Sequence, residues 1–116
     1  MTSSGIRGFR ERREALNARV HERQHLGIER FFALDARAYE AGALDAKTKE
    51  LLGLACSLVL RCDDCITYHI VRCAEEGASD DEMLDAMNVA LVVGGSIVIP
   101  HLRGAVAALD EVRAEA

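Results

Sequence analysis

The stretch Leu51-Leu52-Gly53-Leu54-Ala55-Cys56-Ser57-Leu58-Val59-Leu60 constrains this chain more than any other. It carries no charge and follows a helix-start signal, Asp45 as N-cap with Lys47-Thr48 in the first turns. Read as one helix, it is apolar nearly all round. Such a helix belongs at the centre of a fold. Cys56, inside the run, reads as a small buried hydrophobe. Glu50 stands at the front edge. Taken alone, it is a first-turn carboxylate favoured by the helix dipole and turned to solvent.

The motif that can carry chemistry follows at once. Cys62-Asp63-Asp64-Cys65-Ile66-Thr67-Tyr68-His69 spells C-x-x-C-x-x-x-H, without Gly or Pro. On a helix, residues three and four apart are neighbours, about 5–6 Å between Cβ atoms, so all three side chains share a face. Cα separations of that order lie inside the roughly 4.4–6.8 Å window of a disulfide. Cys62 and Cys65 can therefore cycle between dithiol and disulfide without refolding the chain. His69, one turn beyond Cys65, is placed to take or give a proton. Asp63 and Asp64 suit the positive end of a helix. That dipole favours a Cys62 thiolate, and the two carboxylates oppose it.

The other segments also read as helices. Residues 1–5 read as a frayed end. Phe9 to about Gln24 is rich in Arg and Glu, with a thin stripe of Phe9, Leu16 and Val20: a solvated amphipathic helix. Leu26 to Glu40 is a second helix, with Ile28, Phe31, Phe32 and Tyr39 in phase to bury one side. His21 and His25 form an i, i+4 pair, and as nothing nearby completes a metal site they read as surface residues. The cysteine helix runs to Glu76 and stops at Gly77. Ser79 and Glu82 form a capping box for a fifth helix through about Val93. Gly94-Gly95 interrupts, and a last helix runs from near Pro100 to Val112 with Leu102, Val106 and Leu109 inward. No alternating strand pattern with hairpin turns appears; the Val/Ile run at 89–99 is the one place a strand could hide. The expected fold is all-α, about six helices, in one domain over residues 1–116.

With 116 residues and a formal charge of −5, the chain advertises no basic surface for nucleic acid. No stretch is long and apolar enough to span a bilayer. The start is charged and lacks the apolar core of a signal peptide, so a cytoplasmic location is expected. Thiols are kept reduced there, which makes a close cysteine pair catalytic or metal-binding rather than a staple. Zinc is the competitor: Cys62, Cys65, His69 and Cys73 fall on one helical stripe. Their span of about 16 Å along the axis, at roughly 1.5 Å per residue, is too long for one ion, which leaves Cys62, Cys65 and His69, with a bent helix and an outside ligand, as the metal alternative. Cys73 is then packing. A thioredoxin-like arrangement needs a βαβ pattern beside the cysteine pair, and the chain has none.

Glu50, eleven intervening residues, Cys62-x-x-Cys65-x-x-x-His69, then Gly77-Ala78-Ser79 and Glu82 resemble the carboxymuconolactone decarboxylase-like superfamily. More narrowly they resemble its alkylhydroperoxidase D-like branch, over roughly residues 45–95. The resemblance implies a helical bundle with the C-x-x-C at the start of a central helix, assembled as trimers or hexamers. It implies a thiol-dependent peroxidase and disulfide oxidoreductase without a bound cofactor or metal. The substrate would be a hydroperoxide, and electrons would come from an external dithiol, a reductant protein or lipoyl group. It makes Cys65 the peroxidatic thiol, Cys62 the resolving thiol, and Glu50 with His69 the proton relay. Asp64 stands where alkylhydroperoxidase D itself has a histidine before the second cysteine.

Position alone prefers Cys62 as the activated thiol, because it is nearer the helix start; the family reading prefers Cys65. Cys62, expected to be the more exposed, is then given the exchange with the dithiol donor. Two readings stand beside this one. The first is a non-redox enzyme of the decarboxylase type, with His69 or His101 as general acid or base. The second is a binding or assembly protein with vestigial thiols.

Overall fold

A computed structural model describes residues 5–115 of the chain. The chain divides between Glu40 and Ala41 into two compact units. Every described element is helical: α1 (Gly5–Glu22), α2 (Leu26–Ala38), α3 (Ala46–Leu60), α4 (Asp63–Glu75), α5 (Asp80–Gly94), a short 3₁₀ turn (Ser96–Val98) and α6 (Ile99–Glu115). The expected all-α fold of about six helices is what forms. The Val/Ile run at 89–99 is helix and 3₁₀ turn, and no strand occurs among the described residues.

The first unit holds α1 and α2. α1 starts at Gly5, inside the segment expected to fray; residues 1–4 lie outside the described residues. A turn with Gln24 at φ 52° ends it. The His25 imidazole caps α2 by accepting the Ile28 N–H at 3.3 Å. His21 pairs with Glu29 at 2.8 Å and meets the Phe32 ring edge-on. Both histidines are exposed, as expected. α2 departs from expectation. Phe31 is 68% exposed and Ile28 41%, while Phe32 and Tyr39 are half-buried, so the helix has no buried residue. A two-helix unit has too little apolar surface of its own to cover that face.

The second unit is built around α3, which packs against α4 and α5, while α4 also packs against α6. Leu54 and Leu58 of α3 are fully buried with Ile66, Ile70 and Cys73 of α4 and Met83 and Met87 of α5. The inner side of α6 is Ala105, Ala108, Leu109 and Val112. Of the three residues expected inward there, only Leu109 is buried; Leu102 is half-buried and Val106 exposed. The small Ala105 and Ala108 sit on the buried stripe instead.

α3 is central but not buried all round. Leu52, Cys56 and Leu60, four residues apart on one face, are exposed. Cys56 is therefore not the buried hydrophobe expected of it. The three other α-helices of this small unit leave one side of the apolar α3 uncovered.

Local chemistry sets the joints. The Asp45 carboxylate accepts the Thr48 N–H at 2.7 Å and opens α3; the Thr48 side chain first, and then this N–H, hold its carboxyl below the ordinary range. At the other end Arg61 turns left-handed, φ 60°, the Arg61 N–H reaches Leu58 O at 3.0 Å and the Cys62 N–H reaches Ser57 O at 3.1 Å. This double closure satisfies the last carbonyls of α3 and delivers the chain directly into α4. Gly77, φ 81°, closes α4 in the same way, with Ala78 N–H on Cys73 O at 2.9 Å. Ser79 and Glu82 then exchange hydrogen bonds of 3.1 and 2.9 Å, the capping box expected for α5.

Candidate functional site

The turn at Arg61 makes Cys62 the N-cap of α4, so its sulfur faces the first free N–H groups of the helix. Cys62 Sγ accepts the Cys65 N–H at 3.3 Å. Cys62 and Cys65 are joined in a disulfide, with Cα atoms 5.2 Å apart. The i, i+3 spacing therefore brings the two sulfurs together within one chain. Exposure is the reverse of the expectation: Cys65 is exposed and Cys62 only half-exposed. The closure at Arg61 tucks Cys62 against the end of α3, whereas Cys65 stands on the outer side of the first turn.

One turn further, His69 points inward. It is 7% exposed, and its Nδ1 lies 2.8 Å from Oε1 of Glu50, itself 1% exposed. Glu50 is therefore not a solvated first-turn residue. An ionised carboxylate can only accept, so the hydrogen-bond partner assigns the ring proton to Nδ1. That leaves the proton-accepting lone pair of the neutral ring on Nε2.

Two residues of this arrangement escaped the sequence reading. Gly53 lies against the imidazole: a Cβ built there would stand 2.6 Å from His69 Cε1 and 2.8 Å from Nδ1. The signal was available, since a glycine inside a helix costs about 0.5–1 kcal/mol relative to alanine and asks for a reason. Arg72 is the second. Its Nε lies 3.4 Å from Glu50 Oε2, its Nη1 donates to Glu75 at 2.9 Å and its Nη2 to Glu76 at 3.4 Å. It stands three residues after His69, on the same helical face, and that offset was readable too.

Gly53→Ala is expected to break the Glu50–His69 contact. Helix propensity alone would raise stability by about 0.5–1 kcal/mol. A methyl pushed into a buried ring instead lowers the melting temperature and removes the hydrogen-bonded Nδ1–H proton resonance of His69. A stabilised protein that keeps the resonance would show that the close approach is not what the glycine serves.

Cys73 is buried and free, and burial first, then the field of Glu50, pushes its thiol up to about 12. It packs, as its distance from the pair implied. His101 does not join the Glu50–His69 pair; its Nδ1 lies 2.6 Å from Asp63, the first residue of α4. Among the described residues no three His, Cys, Asp or Glu side chains cluster to hold a metal. No described helix is long and apolar enough to cross a membrane.

Over most of its length the chain is similar to proteins of known structure and to a curated relative. A protein of Thermotoga maritima is 60% identical over 92% of this chain and 94% of its own, with a TM-score of 0.89. A second crystal structure from that organism, at 61% identity and TM-score 0.86 over 90% and 89% of the two chains, is of a carboxymuconolactone decarboxylase family protein. A part in the antioxidative response has been suggested for it. A family protein of Legionella pneumophila is 25% identical, covers 92% of this chain and 96% of its own, and superposes with a TM-score of 0.85. Protein 4 of the cox locus of Paracoccus denitrificans is 34% identical over 82 residues, 71% of this chain and 74% of its own. The model of the carboxymuconolactone decarboxylase family matches residues 28–109, which include every residue of the site, and the chain belongs to that family.

Proposed function

We propose that the chain is a thiol-dependent peroxidase and disulfide oxidoreductase of the alkylhydroperoxidase D-like kind. One observation carries the reading: a Cys62–Cys65 disulfide stands one turn before a buried His69 held by Glu50. The T. maritima relative's suggested part in the antioxidative response points the same way.

In the reduced protein His69 Nε2 takes the proton of the Cys65 thiol. The thiolate sulfur attacks one oxygen of the hydroperoxide, and the O–O bond breaks. The alkoxide leaves with that proton as an alcohol, and Cys65 becomes a sulfenic acid. The Cys62 sulfur then attacks Cys65 sulfur, water leaves, and the disulfide forms. The two electrons delivered to the peroxide are those lost by the two thiols. A dithiol donor restores them by exchange, itself becoming a disulfide.

The exposure of the two cysteines revises the donor step. The donor thiolate attacks the exposed Cys65 sulfur, and Cys62 leaves. A leaving thiolate is favoured where a helix N-terminus receives it, and the Cys65 N–H already points at Cys62 Sγ.

The test is stoichiometric. Reduced protein mixed with tert-butyl hydroperoxide is expected to lose two thiols per peroxide and regain them on addition of dihydrolipoamide. Loss of no thiol under a tenfold excess of peroxide would remove the peroxidase reading and leave the non-redox alternative.

We also propose that the chain works as a closed homo-oligomer, a trimer or hexamer. Leu52, Leu60, Val89, Val92, Val93 and Ile97 are all between 49% and 77% exposed in the single chain. Leu52 and Leu60 share one face of α3, and Val89, Val92 and Val93 stand three and four apart on α5; apolar residues grouped on one face mark an interaction surface, and closed symmetry is the usual way to cover one. Light scattering at micromolar concentration is expected to give a multiple of 12.6 kDa; a monomer alone would refute this.

A further inference from the structure

We propose that Arg72 is a positioning residue of the relay: its guanidinium keeps the buried Glu50 ionised, so that Glu50 can hold the Nδ1 proton of His69. The inference rests on reading His69 as the proton acceptor for Cys65.

Glu50 is 1% exposed, and a carboxylate at that depth takes up a proton unless a cation or several donors compensate it. The neutral His69 ring offers one hydrogen bond and no charge. Arg72 is the cation at hand, with Nε 3.4 Å from Glu50 Oε2. The two partners take different oxygens: His69 is on Oε1 and Arg72 on Oε2. Neither displaces the other, so Arg72 can remain in place while His69 gains and loses its proton.

The guanidinium is held for this task. Each of its three nitrogens faces a different carboxylate, Glu50 from inside and Glu75 and Glu76 from its own helix. A planar group anchored at both outer nitrogens keeps Nε turned inward. A lysine in its place would bring a charge without that orientation. Glu50 interacts with His69, Arg72 and the Cys73 thiol, all from α4; Tyr68, also of α4, lies edge-on to the His69 ring with centroids 5.0 Å apart, and on the α5 side Glu82 is taken by Lys47 at 2.8 Å.

The consequence for catalysis is specific. With Arg72 removed, Glu50 becomes a neutral acid at low pH. It then no longer stabilises the imidazolium that forms when His69 takes the thiol proton. Raising the pH ionises Glu50 again and restores the relay.

The experiment uses the full chain, reduced, as wild type, Arg72→Gln and Arg72→Lys. The Glu50 carboxyl carbon is followed by NMR from pH 5 to 9, beside the rate of thiol oxidation by tert-butyl hydroperoxide. Wild type is expected to show the carboxylate signal from pH 6 upward. Arg72→Gln is expected to bring a titration of Glu50 into that range and to oxidise about 10²-fold more slowly than wild type at pH 6, the lower end of general acid–base assistance. The deficit shrinks toward pH 9. Arg72→Lys recovers the carboxylate signal in part. A purely structural role would leave the Glu50 signal unmoved whatever happens to the rate, and that result overturns the proposal. If Arg72→Gln does not fold, wild type and Arg72→Lys decide: Glu50 protonated at pH 7 in wild type, or the same Glu50 signal in both proteins from pH 5 to 9, overturns it, and a Glu50 that loses its proton at higher pH in Arg72→Lys than in wild type supports it. If Glu50 titrates as expected while the rate ratio stays flat, Arg72 keeps its electrostatic role and it is the relay reading that fails.

Discussion

Cys65→Ser is expected to consume no hydroperoxide, whereas Cys62→Ser is expected to undergo one oxidation event and stop. The stalled species is a sulfenic acid on Cys65, detected as a single dimedone adduct by mass spectrometry. The asymmetry follows from position. Cys65 is exposed and lies one turn before His69, on the face that carries the proton acceptor. Cys62 is the half-buried N-cap, its sulfur already receiving the Cys65 N–H, and so is built to resolve and to leave. Of the two remaining cysteines, Cys73 cannot stand in chemically. Cys73 is buried with its thiol pushed up to about 12, so at neutral pH it stays a thiol. Cys56 is exposed and could cross-link one chain to another, so both variants are best made with Cys56→Ser alongside. The rival assignment, in which the helix dipole makes Cys62 the attacking thiol, gives the mirror image: Cys62→Ser inert and Cys65→Ser trapped once. Sustained turnover by Cys65→Ser would retire the assignment made here.

Much of the scaffold was legible because it is local. Asp45, Gly77 and the Ser79–Glu82 pair each fix a helix end through contacts within a few residues, and each does so in the structure. The i, i+3 disulfide is local in the same sense. What escaped depends on which side of a helix is covered, and periodicity is silent on that. α3 reads as apolar all round, so sequence alone could not separate the buried Leu54 and Leu58 from the exposed Leu52, Cys56 and Leu60. The cysteine exposures were inverted because the left-handed turn at Arg61 decides them, and a non-glycine residue there gives no warning. Glu50 is the sharpest case. Its position alone argues for solvent, and only the match to a known pattern, with a histidine 19 residues on, argues for burial. Gly53 and Arg72 lie at readable offsets, but their meaning appears only when the His69 ring is seen against both.

Glu50→Gln is expected to slow peroxide-dependent thiol oxidation by roughly 10²–10⁴-fold, the size of general acid–base assistance. The substitution keeps the shape of the side chain and removes only the charge. Glutamine can still present a carbonyl to His69 Nδ1–H, so the ring keeps its place. It does not supply the negative charge that stabilises an imidazolium, and at 1% exposure little water is at hand to do so instead. His69 therefore remains oriented but becomes a poorer acceptor for the Cys65 proton. The folded state has offsetting reasons to tolerate the change. A buried ion pair is weak evidence of net stability, because desolvation cancels much of the attraction. Removing the Glu50 charge does leave Arg72 without its inner partner, but that guanidinium is a third exposed and keeps Glu75 and Glu76. The variant should thus lose rate far more than melting temperature, and raising the pH should recover part of the rate as Cys65 ionises without help. The decisive measurement is stopped-flow oxidation of reduced Glu50→Gln across pH 6–9. A wild-type rate throughout that range would dismiss Glu50 from the relay, and a rate lost in step with the fold would make it a structural residue alone.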